Sequence, residues 1–255
     1  MDEYGQILAE NLGKKLNYYK EVDSTNTVAK KKEKWEHGEV IIAKTQTAGR
    51  GTYGRTFFSK ADCGIYLTVI IDINKWHFKE EKLATIYTAV AVVKAVYEVT
   101  KIPLDVKWVN DLFLNSKKIG GILTEKSLYS NKLVIGIGIN IAGKKQDFPT
   151  ELQDIATSLG LEDTFSEQAA KIAIAIYENL LKEGELSNSD QVLKLYKEKL
   201  FILGETVDVL RGNDVFEVQV VDVDASGRLI VYQDGKELVL DVGEVRVKRI
   251  KNANE

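Results

Sequence analysis

The chain has 255 residues, of which 44% are hydrophobic and 29% charged, enough for one sizeable core or a core with a small module. Its net charge of −3 argues against a general attraction to nucleic acid or to a membrane surface. One cysteine excludes an internal disulfide framework and, with no signal-like start and no stretch that approaches a membrane span, predicts a cytoplasmic protein.

The N-terminal segment predicts a short helix within residues 1–15, which is too short to house a DNA-binding helix-turn-helix. A strand is predicted at Leu16–Val22, followed by the quartet D-S-T-N and a helix at Val28–Trp35. The quartet has two interpretations. It is either a helix cap or a cluster of small neutral hydrogen-bonding groups at the end of a strand.

A glycine-rich stretch, Q-T-A-G-R-G-T-Y-G-R at residues 46–55, follows a predicted strand at 39–46. Its glycines allow close backbone approach, and its arginines carry forked donors suited to carboxylate and phosphate. The stretch therefore predicts an anion-binding loop, although a solvated glycine turn has the same composition. The dinucleotide fingerprint is rejected because no helical pattern follows the glycines, and the phosphate-loop pattern because no Lys-Ser/Thr pair follows them.

The middle of the chain predicts a sheet with one long helix. A strand is expected at 64–73, a buried helix at 80–100, and neighbouring strands at 119–125 and 133–140 joined near Ser130. Hairpin links of this type predict a mixed, largely antiparallel sheet. Glycines within the last two strands indicate close approach of a ligand or tight packing of a helix, and both can hold.

Helices are expected at 164–182 and 190–200, and then the composition changes. Short alternating runs at 205–249, broken at turn residues, predict a small all-β module, most simply a barrel. We therefore expect an α+β catalytic domain over residues 1–202 and a β domain over residues 203–255. The two histidines, His37 and His77, lie far apart, so a protein-ligated zinc site is not predicted.

Five motifs, in this order, resemble those of the biotin protein ligases. They are D-S-T-N at 23–26, Q-T-A-G-R-G-x-x-G-R at 46–55, K-W-x-N-D at 107–111, K-I-G-G-I-L-T-E at 118–125 and G-I-G-I-N at 136–140. The C-terminal β module fits as well, so the resemblance covers nearly the whole chain. It implies the class II synthetase-like biotin/lipoate ligase fold with an SH3-like C-terminal domain.

The resemblance also implies a reaction in two steps. Biotin and ATP, with Mg²⁺, give biotinyl-5′-AMP and pyrophosphate, and a lysine of a biotin carboxyl carrier protein then attacks the adenylate. Joining two anions requires screening of charge, which suits a cationic loop above a glycine-rich floor. The implied partners are biotin, ATP and the carrier protein, without DNA or membrane, and a homodimer is possible.

Site residues follow from the resemblance, position by position. The catalytic pair is Lys118 and Arg50. The biotin set is Ser24, Thr25, Asn26, Gln46, Arg50, Gly51, Thr52, Lys118 and Gly121. The nucleotide set is Arg50, Arg55, Lys107, Asn110, Asp111 and Asn140, and the metal ligands are not identified.

The chain departs from the family pattern in three ways, at four positions. Thr52 and Tyr53 occupy positions where arginine is common, Val109 replaces a proline, and Phe57 stands where tryptophan is common. Two alternative functions stay open at this point, a lipoate-type protein ligase and a biotin sensor without turnover.

Overall fold

The computed structural model describes residues 1–76, 81–127, 130–181, 188–211, 214–241 and 244–247. Five α-helices lie in this part of the chain, α1 Glu3–Leu12, α2 Thr25–Lys31, α3 Glu81–Thr100, α4 Phe165–Leu181 and α5 Ser189–Lys199. The first sheet consists of β1 Leu16–Val22, β2 Glu39–Gln46, β3 Gly64–Asp72, β4 Asp105–Lys107, β5 Asp111–Leu114, β6 Lys117–Lys126 and β7 Lys132–Asn140. The second sheet consists of β8 Thr206–Arg211, β9 Asp214–Val223, β10 Leu229–Gln233, β11 Lys236–Leu240 and β12 Glu244–Val247.

The first sheet has the order β1-β2-β3-β7-β6-β5-β4. Only the pair β1 and β2 runs parallel, and every other adjacent pair among the described strands runs antiparallel. The prediction of a mixed, largely antiparallel sheet is confirmed. Strand β7 lies at the centre, between β3 and β6, so its backbone is paired on both sides.

Alternation along the strands divides the sheet into two faces. Val40 and Ile42 of β2 join the main core, whereas Ile41 packs with Ala29 of α2 in a separate cluster. Helices α1, α3, α4 and α5 contribute to the main core, and α2 covers the opposite face. Because side chains alternate across a strand, the glycines of β7 fall on the α2 face while its isoleucines enter the core.

Helix α3 corrects the expectation that no stretch of the sequence approaches a membrane span. Its segment Lys82–Thr100 has the length and hydropathy of a membrane span, with a mean hydropathy of 1.4 over its best window. However, 67% of that window is buried inside the fold, against α4, α5 and β6. The burial identifies α3 as the central core helix of this domain.

Helix α2 begins three residues earlier and ends four residues earlier than the sequence predicts. Ser24 is its extended N-cap residue, but the Ser24 side chain makes no capping hydrogen bond. At the other end, Lys132 of β7 is buried and its Nζ donates to the carbonyl oxygens of Ala29, Lys30 and Lys32 at 3.0, 3.3 and 2.7 Å. This ammonium group satisfies the last carbonyls of the helix and accounts for its early end.

The C-terminal module is one antiparallel sheet of order β11-β10-β9-β8-β12. Its described strands leave β11 and β12 as edges, so the sheet is open where the sequence predicted a barrel. The module contacts the first domain through Trp108, whose Nε1 donates to the carbonyl oxygen of Gly227 at 3.0 Å. Trp108 is buried, as expected for a core residue, and it follows Lys107 directly in the chain.

Candidate active site

The candidate active site is a cleft of about 470 Å³, including its open mouth, on the α2 face of the first sheet. Its walls are α2 and the glycine loop, defined here as residues 47–60, and its floor is formed by β6 and β7. The lining residues are Ser24, Thr25, Asn26, Gln46, Arg50, Gly51, Thr52, Phe57, Asn110, Lys118, Gly121, Ile122, Leu123, Gly136, Ile137 and Gly138.

One end of the cleft presents neutral hydrogen-bonding groups. The amide oxygen of Gln46 accepts from both the backbone N–H and the hydroxyl of Thr25, at 2.9 and 3.2 Å. The Gln46 amide nitrogen donates to Ser59 at 2.8 Å, which leaves one amide hydrogen for a ligand. Ser24 is 2% exposed, and its hydroxyl has no hydrogen-bond partner among the described residues. The quartet thus supplies more than a helix cap.

Asn26 has a defined amide orientation. Its Nδ2 donates to the carbonyl oxygen of Leu123 and to the carboxylate of Glu125, both at 3.1 Å. Its Oδ1 accepts from the hydroxyl of Thr68 at 2.7 Å. Because two acceptors hold the amide nitrogen, the only capacity left for a ligand is the second lone pair of Oδ1. Asn26 therefore presents an acceptor to the cleft.

The floor glycines are required by close packing. A Cβ on Gly136 would lie 2.1 Å from Oδ1 of Asn26, and a Cβ on Gly138 would lie 2.6 Å from the ring of Phe57. A Cβ on Gly121 would meet its nearest atom, Oδ1 of Asp111, at an ordinary 3.6 Å. The two glycines of β7 therefore let α2 and the glycine loop lie directly on the sheet.

Positive charge borders the cleft beside Asn26, because Arg50 and Asn26 donate to the same oxygen of Glu125. Nη1 of Arg50 lies 3.0 Å from Oε2 of Glu125, and Nζ of Lys30 lies 2.9 Å from Oε1 of the same carboxylate. Burial raises the pKa of Glu125, but the hydrogen bonds from Lys30 and Asn26 and the charge of Arg50 together hold that pKa below its usual value. Glu125 is therefore ionised at neutral pH.

Lys118 lies near the other end of β6, seven residues from Glu125, with its Nζ 2.5 Å from Oδ1 of Asp111. Lys107 approaches Oδ2 of Asp111 at 3.5 Å and lies over the ring of Phe113. The side chain of Asn110 is fixed by donation to the carbonyl oxygen of Ile122 at 2.9 Å. The K-W-x-N-D and K-I-G-G motifs thus converge at one corner through an ion-paired carboxylate.

All nine residues of the predicted biotin set line the cleft. Of the predicted nucleotide set, Arg50 and Asn110 line it, while Arg55, Lys107, Asp111 and Asn140 lie outside its wall. Arg55 lies over the exposed ring of Tyr53, and Asn140 donates to the carbonyl oxygen of Thr157 at 3.0 Å. The roles assigned to both sets remain predictions.

Two residues gained importance only from the structure. Glu125 has no role assigned by its motif, although a carboxylate in an apolar strand is a visible signal in the sequence. Ser59, which fixes Gln46, carries no signal in the sequence. In the described ranges no group of three or more His, Cys, Asp or Glu side chains could hold a metal ion, and His77 lies outside those ranges.

Comparison with known proteins places these features in a family. Residues 18–141 match the model of the "Biotin/lipoate A/B protein ligase family", and residues 202–248 match the "Biotin protein ligase C terminal domain". The "Bifunctional ligase/repressor BirA" of Bacillus subtilis is 38% identical over 158 residues, which are 60% of this chain and 48% of that protein. The "Biotin--[acetyl-CoA-carboxylase] ligase" of Mycobacterium tuberculosis is 28% identical over 82% of this chain and 78% of that protein.

Among solved structures, the biotin protein ligase from Aquifex aeolicus in complex with biotin and ATP superposes with a TM-score of 0.76 at 30% identity. The match covers 92% of this chain and 99% of that one. The chain spans about half the length of the Bacillus relative. Both domain matches and the near-complete structural match agree, and the chain belongs to the biotin protein ligases, within the biotin/lipoate A/B protein ligase family.

Proposed function

We propose that the protein activates biotin as biotinyl-5′-AMP with ATP and transfers the biotinyl group to a lysine of a biotin carboxyl carrier protein. The observation that carries this proposal is one cleft lined both by neutral hydrogen-bonding groups and by two cations, Arg50 and Lys118. Biotin has the complementary groups, a neutral ureido ring and an anionic carboxylate.

The neutral end matches a ureido ring in hydrogen-bond polarity. A ureido group has one strong acceptor, its carbonyl oxygen, and two N–H donors. The Ser24 hydroxyl and the spare amide hydrogen of Gln46 can donate to the carbonyl, while Oδ1 of Asn26 accepts from an N–H. A lipoate ring offers no such donors and acceptors, so these groups favour biotin over the lipoate alternative.

The two cations that line the cleft fit the first chemical step. A carboxylate oxygen of biotin attacks the α-phosphorus of ATP, the bond between that phosphorus and the bridging oxygen to the β-phosphate breaks, and pyrophosphate leaves. Negative charge from two reactants is brought together, and Arg50 and Lys118 line the cleft where it would gather. Preorganised cations lower this barrier without a protein nucleophile.

The second step needs an open approach for a protein lysine. Its neutral amine attacks the acyl carbon of the adenylate, forms an amide, loses a proton and releases AMP. The carrier protein as acceptor, Mg²⁺ accompanying ATP, a cytoplasmic setting and the absence of DNA binding are proposed on the family resemblance and the net charge. Asp111, a member of the predicted nucleotide set, could offer Mg²⁺ one carboxylate, with phosphate and water as further ligands.

The test is a reconstitution in two stages. The protein is first assayed for ATP–pyrophosphate exchange with biotin or lipoate. It is then incubated with a biotin carrier domain, biotin and MgATP, and the mass of the carrier domain is measured. We expect exchange with biotin alone and a mass increase of one biotinyl group on the carrier. Binding of biotin without exchange would favour a sensor, and exchange with lipoate in preference to biotin would contradict the proposal.

A further inference from the structure

Glu125 lies on β6 and contacts two residues that line the cleft, Asn26 and Arg50. Its Oε2 accepts from Nδ2 of Asn26 at 3.1 Å and from Nη1 of Arg50 at 3.0 Å. Its Oε1 accepts from Nζ of Lys30 at 2.9 Å. The Glu125 side chain is only 18% exposed, so these three donors provide most of its solvation. One oxygen atom is therefore shared by a neutral residue and a cationic residue of the cleft lining.

An ionised carboxylate can only accept hydrogen bonds, and this fixes the amide of Asn26. The donor edge of that amide is held between Glu125 and the carbonyl oxygen of Leu123. Replacement of Glu125 by glutamine would place an NH₂ group among three donors. The Asn26 amide could then turn over and present a donor where a ureido N–H requires an acceptor.

Arg50 benefits from the same carboxylate in another way. It extends from a loop containing three glycines between residues 49 and 54, where an unanchored arginine would have many conformations. Within the described part of the chain, its guanidinium makes one hydrogen bond, through Nη1 to Glu125. The remaining N–H groups of the Arg50 guanidinium are available to an anion in the cleft. Because Glu125 already orders this side chain, binding of the anion costs less conformational entropy.

We propose that Glu125 is a positioning residue of this active site. One of its carboxylate oxygens fixes both the amide orientation of Asn26, which faces the ureido ring of biotin, and the position of the Arg50 guanidinium. This inference rests on the proposed function. It implies that the affinity for biotin and the rate of adenylate formation depend on a residue that does not line the cleft. The two properties should therefore change together when Glu125 is altered.

The experiment uses Glu125→Gln and Glu125→Asp, with Glu167→Gln as the matched control. Glu167 forms an exposed ion pair with Lys171 on α4, so its substitution removes a carboxylate from an ion pair outside the site. Biotin affinity is measured by titration calorimetry. The kcat for adenylate formation is measured at saturating biotin and ATP, and circular dichroism checks the fold.

We expect Glu125→Gln to weaken biotin binding roughly tenfold to one-hundredfold, because Asn26 loses an acceptor in a buried site. We also expect kcat to fall by about tenfold. In the double variant with Arg50→Ala, the Glu125 change should lower kcat no further than Arg50→Ala alone. Glu125→Asp keeps an acceptor-only group with a shorter reach, so both of its constants should lie between those of the wild type and Glu125→Gln.

Independent effects of Glu125 and Arg50 on kcat, or a loss of biotin affinity with unchanged kcat, would overturn the shared role. If Glu125→Gln does not fold, Glu125→Asp decides, and wild-type values for both of its constants overturn the inference. An inactive wild type would instead overturn the proposed function, while the calorimetric comparison would still test whether Glu125 orients Asn26.

Discussion

Lys118 is one of the two residues assigned to catalysis by the resemblance. Its ammonium group is held by Asp111, and its side chain is 39% exposed. A flexible cation of this type can leave its carboxylate and follow the charge that develops on the reacting carboxylate and phosphate. Its contribution to folding should be small because the pair is solvent-screened.

We therefore expect Lys118→Ala to lower kcat for adenylate formation by about 10²–10³, the typical effect of losing one preorganised donor to a developing charge. Its melting temperature should stay near that of the wild type. Lys117→Ala, one position away on the same strand and outside the cleft lining, is the matched control and should keep its activity. Near-normal exchange kinetics for Lys118→Ala would rule out a catalytic role.

Thr52 is the position at which this chain offers less charge than the family pattern. Its side chain lines the cleft, and its hydroxyl is a neutral donor where arginine would supply a charged fork. Its neighbour Tyr53 does not compensate within the cleft, because its ring is 68% exposed and lies against Arg55.

Thr52→Arg should lengthen the lifetime of the enzyme-bound adenylate and make its release more dependent on salt, because a charged fork would hold the phosphodiester more tightly. The lifetime is measured by chase of labelled adenylate. Tyr53→Arg adds the same charge at a side chain that points away from the cleft and should leave the lifetime unchanged. A shorter adenylate lifetime for Thr52→Arg would contradict this expectation and show that neighbouring groups already hold the phosphodiester.

At the scale of elements, the site depends on glycines of β7 that let α2 and the glycine loop lie directly on the sheet. Gly136→Ala would place a methyl group 2.1 Å from Oδ1 of Asn26, so α2 or the Asn26 side chain must move. We expect this variant to lose at least tenfold in biotin affinity and about 1–3 kcal/mol in stability from overpacking. Both are measured, by calorimetry and by denaturant unfolding.

Gly121→Ala on the neighbouring strand is the control for stability. Its added methyl group meets ordinary contacts, so its free energy of unfolding should stay close to that of the wild type. An equal loss of stability in both variants would mean that strand propensity, and not the contact with Asn26, explains the cost.

The same elements show what could be predicted from the sequence. Alternation and turn residues gave Leu16–Val22 and Glu39–Gln46 with their observed bounds, because these strands are specified by local pattern. The end of α2 was wrong because it is fixed by Lys132, a residue one hundred positions away. The role of Ser59 could not be foreseen for the same reason, since its contact with Gln46 exists only once the glycine loop has folded back.

At the scale of the whole molecule, the C-terminal module touches the catalytic domain next to a motif assigned to ATP. Trp108 donates to the carbonyl oxygen of Gly227, Lys82 pairs with Asp241, and Lys197 pairs with Asp222 at 2.8 Å. Of the three residues of the first domain that make these contacts, Trp108 is the one that directly follows Lys107 in the chain. The module therefore contacts the first domain next to a residue that we propose to face ATP.

Trp108→Phe keeps an aromatic ring and removes this one donor. We expect the KM for ATP to rise roughly threefold to tenfold, as for loss of a buried hydrogen bond, with little change in the Kd for biotin. Trp76→Phe is a matched control, because Trp76 is also buried and donates to a backbone carbonyl, that of Leu180, at 3.1 Å. We expect Trp76→Phe to lose as much stability as Trp108→Phe but to keep a normal KM for ATP. A normal KM for both variants would exclude coupling between the C-terminal module and ATP binding through Trp108.

The central place of β7 has a consequence for hydrogen exchange. This strand is paired on both sides, and it provides the glycine floor of the cleft, so the amides of Gly136 and Gly138 should exchange with solvent only when the whole domain unfolds. Amides of the glycine loop, which are held by a few local bonds, should exchange through small openings. Biotin should therefore slow exchange in the loop by a local effect, and in β7 only by as much as it stabilises the entire fold. Mass spectrometry of deuterium uptake can separate these two responses, and rapid exchange in β7 without ligand would show that the floor opens independently of the core.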